Sequence, residues 1–135
     1  MILFLLMTIV VVVECRDYYF QNTHTSYYLK NCQNSHNVCT YPEKSDSNWV
    51  LEKKDDIFFI QIKESCLDID DYDNTIYLNK CNNGSSQFWS LMKIDDFVFQ
   101  ILNIEERCFL SSDIHGNVFC MFMTINSDNN KWFIF

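Results

Sequence analysis

Three groups of residues in this chain have side chains that could do chemistry: the histidines His24, His36 and His115, the seven cysteines, and the carboxylate-rich stretch Asp68-Ile69-Asp70-Asp71-Tyr72-Asp73-Asn74. A catalytic histidine needs a nucleophile or a second acid–base group held beside it. The three here sit in separate Asn- and Ser-rich segments with no Ser or Cys arranged around them, so the chain reads as a non-enzyme. Zinc needs clustered Cys and His ligands, and no Cys-x-x-Cys pair is present. The acidic stretch offers oxygens to calcium but lacks the central glycine and terminal glutamate of an EF-hand loop. It reads as a solvated turn. No metal and no cofactor is implied.

The cysteines have a structural use. Residues 1–15 are almost all apolar, with Glu14 the only charge. That run is short for a membrane span but fits the core of a secretory signal peptide, with an acceptable cleavage point around Val13-Glu14-Cys15. Cleavage leaves Cys32, Cys39, Cys66, Cys81, Cys108 and Cys120, and no segment after Arg16 suited to membrane insertion. An even set of cysteines behind a signal peptide predicts a disulfide framework and a secreted, extracellular location. Six cysteines allow 15 connectivities, and the residues alone leave these open.

Eighteen acidic against ten basic residues give a formal net charge of −8. That excludes nucleic acid and polyanions as partners, because each needs a basic footprint. With only 2 Gly and 1 Pro, turns must be built from Asn, Asp and Ser, which bond their own backbone or tolerate left-handed geometry.

The elements that must position these groups repeat three times. Trp49, Trp89 and Trp132 lie 40 and 43 residues apart, each preceded by a polar cluster and followed by apolar residues. In a second register, Asp55-Asp56-Ile57-Phe58-Phe59-Ile60 recurs as Asp95-Asp96-Phe97-Val98-Phe99-Gln100, and a counterpart, Asp17-Tyr18-Tyr19-Phe20, begins where the signal ends. Periods of this length signal repeat architecture. The segments between are short, aromatic or β-branched, and bounded by turn residues, which predicts strands; repeat two offers 57–62, 66–69, 76–79 and 88–92. Three blades are too few for a propeller. The remaining all-β solution is a β-trefoil domain over 16–135, with repeats of about 16–54, 55–94 and 95–135. The tryptophans, together with Phe58, Phe97, Phe99 and Phe133, are expected in its core.

Repeat two contains Cys66-Leu67-Asp68, then Ile76-Tyr77-Leu78-Asn79-Lys80-Cys81, then Gln87-Phe88-Trp89. This resembles the ricin B-type (QxW) lectin repeat. Repeat three keeps Cys108-Phe109-Leu110 and Trp132, with Asn130 in the Gln position; repeat one keeps Tyr28-Leu29-Lys30 and Trp49, with Ser47 in that position. The resemblance implies four-stranded units closing a barrel capped by hairpins, with Trp49, Trp89 and Trp132 as structural core. It also implies a Cys66–Cys81 bridge, with Cys108–Cys120 and Cys32–Cys39 as local analogues.

The resemblance further implies one shallow sugar pocket per repeat. An Asp accepts from adjacent hydroxyls, a ring at the end of the third strand covers sugar C–H groups, and an Asn before the QxW Gln completes the polar contacts. Repeat two supplies Asp68 and Gln87, with Asn79 in the ring position, Ser86 in the Asn position, and Tyr77 or Tyr72 as a substitute ring. Repeat one supplies the ring, Tyr41, but has Lys30 for the Asp and Asp46 for the Asn. In repeat three, Asn129 is in place, while Leu110 and Met121 replace the carboxylate and the ring. The expected partners are glycans or glycoproteins, best at repeat two. The alternative is a degenerate trefoil that binds protein, or a toxin-type receptor-binding subunit. An N-glycosylation sequon, Asn83-Gly84-Ser85, lies beside the repeat-two site.

Overall fold

The computed structural model describes residues 16–32, 36–45, 47–122 and 127–135; the expected signal peptide, 1–15, and Asp46 lie outside them. The described residues form thirteen strands joined by turns and two single-turn 3₁₀ segments. In chain order they are β1 (Asp17–Tyr18), β2 (Phe20–Asn22), β3 (Tyr28–Asn31), β4 (Val38–Tyr41), β5 (Trp49–Lys54), β6 (Ile57–Ile62), β7 (Ser65–Ile69), β8 (Ile76–Lys80), β9 (Trp89–Lys93), β10 (Val98–Asn103), β11 (Cys108–Ser112), β12 (Val118–Met121) and β13 (Lys131–Ile134). In repeat two these agree with the expected spans to within a residue at each end.

Every pairing is antiparallel. Strands β1, β5, β6, β9, β10, β13 and β2 follow one another around a ring. Because β1 and β2 are one strand interrupted at Tyr19, the ring is a six-stranded barrel, which leaves no open sheet edge. Hairpins β3–β4, β7–β8 and β11–β12 branch from it and cap one end. Cross-bridges Asn37↔Tyr77 and Cys39↔Asn117 join them. Gly116 makes one of these junctions possible: its φ is +84°, and a Cβ there would lie 2.8 Å from the Thr40 carbonyl oxygen. Its own carbonyl accepts from the Thr40 N–H at 3.0 Å.

The three indoles hold the barrel together. Trp49, Trp89 and Trp132 are fully buried, and each Nε1 donates to a carbonyl on its own repeat's cap hairpin, Leu29, Leu67 and Leu110, at 2.9 Å in every case. Each buries a large apolar area, about 4–6 kcal/mol at the usual transfer coefficient, and its one polar atom is satisfied. Phe20, Leu29, Ile60, Leu67, Ile101, Leu110 and Ile134 fill the space between them.

The turns bear out the expected vocabulary only in part. Residues with positive φ include Ser26, Asp55, Asn74 and Asn83, but also Lys63 and Arg107. With glycine so scarce, long cations take left-handed positions that cost ordinary residues about 1–2 kcal/mol. Asx turns do the rest. Asn22 Oδ1 accepts from the N–H groups of His24 and Thr25, Asp70 from Tyr72, Asp73 from Thr75, and Asp113 from His115 and Asn117.

Two expected core residues are on the surface. Phe97 is 65% exposed and Phe133 37%. Alternation along β13 sends Trp132 and Ile134 inward and Phe133 outward, while Phe97 sits in the turn before β10. Phe58 and Phe99 are half-buried. Disulfides join Cys66 to Cys81, Cys108 to Cys120 and Cys32 to Cys39.

Candidate functional site

The indole bonds set the correspondence between repeats. Since Leu29, Leu67 and Leu110 receive equivalent bonds, the residue that follows each is also equivalent: Lys30, Asp68 and Ser111. Strand pairing gives the same answer, with Tyr28, Cys66 and Phe109 facing Gln21, Gln61 and Leu102. Ser111, not Leu110, therefore stands in the carboxylate position of repeat three. Matching Cys108 to Cys66 misplaces it by one residue, because the β10–β11 turn is longer than the two-residue β6–β7 turn. Across each hairpin, Tyr41, Asn79 and Met121 occupy the ring position.

Repeat two brings Asp68, Tyr77, Asn79 and Gln87 together. Asp68 is 1% exposed. Its Oδ1 accepts from the Ile69 N–H at 2.7 Å; its Oδ2 accepts from Asn79 Nδ2 at 3.2 Å and Gln87 Nε2 at 3.1 Å. Gln87, fully buried, also donates to the Lys80 carbonyl at 2.9 Å and accepts from the Asn82 N–H at 3.1 Å. Gln87 thus ties the carboxylate to the 81–87 loop, while Asn79 lays its amide over the carboxylate instead of leaving it to solvent. Tyr77 lies directly across from Asp68. Burial, then the Asp68 charge, pushes its phenol above the usual tyrosine range. Ser86 is half-buried, and its carbonyl accepts from Asn103 Nδ2 at 3.0 Å. Tyr72 projects from the acidic turn at 93% exposure.

Repeat one places Tyr41, 39% exposed, at the end of β4. Lys30 is 8% exposed, and its Nζ lies 5.3 Å from the Tyr41 ring centroid. Ser47, in the glutamine position, turns its hydroxyl to the Lys44 carbonyl. In repeat three the Ser111 hydroxyl donates to the Phe109 carbonyl at 2.9 Å, and Asn130 accepts from Gln100.

Two depressions are lined by barrel-strand residues and the segments next to them. A cleft of about 350 Å³ is lined by Gln21, Phe97, Phe133 and Phe135, and the Lys44 ammonium sits 5.3 Å from the Phe135 ring beside it. A groove of about 270 Å³ is lined by Lys54, Asp55, Ile57, Phe59, Asn83 and Phe88. There the exposed sequon residue Asn83 accepts from Lys54 Nζ at 3.2 Å. Sequence reasoning missed the aromatic cleft. The signal was available: in a strand whose tryptophan points inward, the adjacent Phe133 must point out.

Solved structures of similar fold include a designed threefold-symmetric protein, ThreeFoil, with a TM-score of 0.78 and 16% identity, covering 87% of this chain and 96% of that one. The fold is the β-trefoil. SeviL, solved bound to the asialo-GM1 saccharide, superposes with a TM-score of 0.75 at 18% identity, covering 88% of this chain and 95% of that one. The third is a GlcNAcα1-4Gal-releasing endo-β-galactosidase of Clostridium perfringens, with a TM-score of 0.79 at 16% identity; the match covers 89% of this chain but 32% of the enzyme. No protein-family model and no curated protein sequence matches the chain.

Proposed function

We propose that this β-trefoil is a secreted, non-enzymatic, lectin-like module that recognises glycans or glycoproteins at a cell surface, the domain 16–135 following a signal peptide over 1–15. The observation that carries the proposal is Tyr41, an exposed ring at the end of a cap hairpin's second strand, where the ricin B-type resemblance calls for a stacking platform. The SeviL trefoil's saccharide complex supports the reading by analogy of fold. Three disulfides in so small a β domain favour an oxidising, extracellular setting.

The weight within the site moves from repeat two to repeat one. Asp68 spends its acceptors on Ile69, Asn79 and Gln87 and presents almost no surface. A sugar could reach it only by displacing the Asn79 amide. A glycan array with wild type, Tyr41→Ala and Asp68→Ala tests the proposal. The expected result is binding that Tyr41→Ala abolishes and that a folded Asp68→Ala retains; an array with no signal for wild type refutes it.

A second reading, a protein-binding or toxin-type receptor-binding trefoil, draws on the cleft formed by Phe97, Phe133 and Phe135. Exposed aromatic clusters mark interaction surfaces. Phe97→Ser with Phe133→Ser separates the two: glycan binding should survive both changes.

A further inference from the structure

We infer that the hairpin face of repeat one takes an acidic sugar, with Lys30 meeting its carboxylate or sulfate and Tyr41 covering its ring. This rests on the glycan reading above and names the ligand class. Lys30 stands where repeat two has Asp68 and repeat three Ser111. A carboxylate recognises neutral sugars by accepting from their hydroxyls. An ammonium has three donors and no acceptor, so substituting one for the other inverts the preference: the group that best satisfies Lys30 is an anion.

The geometry places the two residues together. Tyr28 faces Tyr41 and Lys30 faces Cys39 across β3–β4, so alternation puts Lys30 and Tyr41 on one face. Lys30 is 8% exposed, and among the described residues, which do not include Asp46, no carboxylate lies within ion-pairing distance of it. The Tyr41 ring lies 5.3 Å away, near the outer limit of about 6 Å for a useful cation–π contact, a weaker interaction than a charge-assisted bond to an anion would be. Tyr41 keeps 39% of its surface exposed beside it. The other repeats offer no such pair: Asn79 closes repeat two, and Met121 stands where repeat three would need a ring. The net charge of −8 opposes long-range attraction of polyanions. A contact ion pair acts well inside the roughly 8 Å screening length and is governed by its immediate neighbours.

The test uses the full chain expressed in a secretory host with its disulfides formed. Binding of 3′-sialyllactose, a glucuronic-acid-terminated disaccharide and 6-sulfated lactose is compared with binding of lactose. At least one acidic probe is expected to bind about tenfold or more tighter than lactose, the worth of one charge-assisted hydrogen bond. The carboxylated and sulfated probes distinguish the two sources of the anion. Lys30→Met should reduce the acidic probe to the lactose level, Lys30→Arg should retain it, and Tyr41→Ala should remove both, with tryptophan fluorescence confirming that each variant is folded. Lactose binding that equals the acidic probes and ignores Lys30→Met overturns the acidic-sugar inference while leaving the glycan reading standing. Absence of binding to every probe and to a broad array overturns both.

Discussion

Replacing Asp68 by Asn asks whether this carboxylate is first of all a structural hub. The substitution keeps the side chain's shape and leaves one carbonyl oxygen for the Ile69 N–H. It also puts an NH₂ where Oδ2 now accepts from Asn79 at 3.2 Å and Gln87 at 3.1 Å, setting donor against donor. Each bond to a charged acceptor contributes about 1.5–3 kcal/mol. Relief is partial: Gln87 Nε2 retains the Lys80 carbonyl, and the half-buried Asn79 amide can turn towards water. The net loss expected is therefore about 2–4 kcal/mol, below the full sum of two such bonds. For a domain of this size that lowers the thermal midpoint by roughly 8–16 °C. The assay is urea unfolding followed by tryptophan fluorescence under non-reducing conditions, since all three indoles are buried. Ser111→Ala, the same position in repeat three, loses one neutral bond to the Phe109 carbonyl and should cost only about 1 kcal/mol. Equal losses for Asp68→Asn and Ser111→Ala would refute the hub.

Two further outcomes are expected. Replacing Cys66 and Cys81 together by serine opens a loop of 15 residues and should destabilise by about 3 kcal/mol in the chain-entropy model, read as a fall in urea midpoint with a slope no smaller than wild type's, since the unfolded chain becomes less compact. Because burial and then the Asp68 charge raise the Tyr77 phenol above its ordinary value, the folded state holds that proton more tightly than the unfolded chain does. The resulting stabilisation is present below about pH 10, the ordinary tyrosine value, and is lost as pH rises through the folded value; Tyr77→Phe should show a shallower alkaline decline in unfolding free energy, and a decline identical to wild type's would contradict this.

What the sequence determined by itself is the repeating frame. Trp49, Trp89 and Trp132 recur because each barrel third needs one large apolar wedge with a single donor, and that demand is local enough to leave a period in the chain. The strands of repeat two were legible for a similar reason, since alternation and Asx-rich turns act over a few residues.

The sugar positions were harder to read. In repeat three the cysteine spacing pointed to Leu110, but register is fixed by turn length and by the bond from Trp132 to the Leu110 carbonyl, which place Ser111 there. The motif residues Asp68, Asn79 and Gln87 were visible in sequence as a sugar-site pattern. Only the folded hairpin shows that the Asn79 and Gln87 amides reach the same carboxylate oxygen and take it out of circulation. The exposure of Phe97 and Phe133 likewise follows from which neighbour points inward. Composition records how many aromatic rings a chain has; which of them meet water is decided when strands far apart in sequence close the barrel.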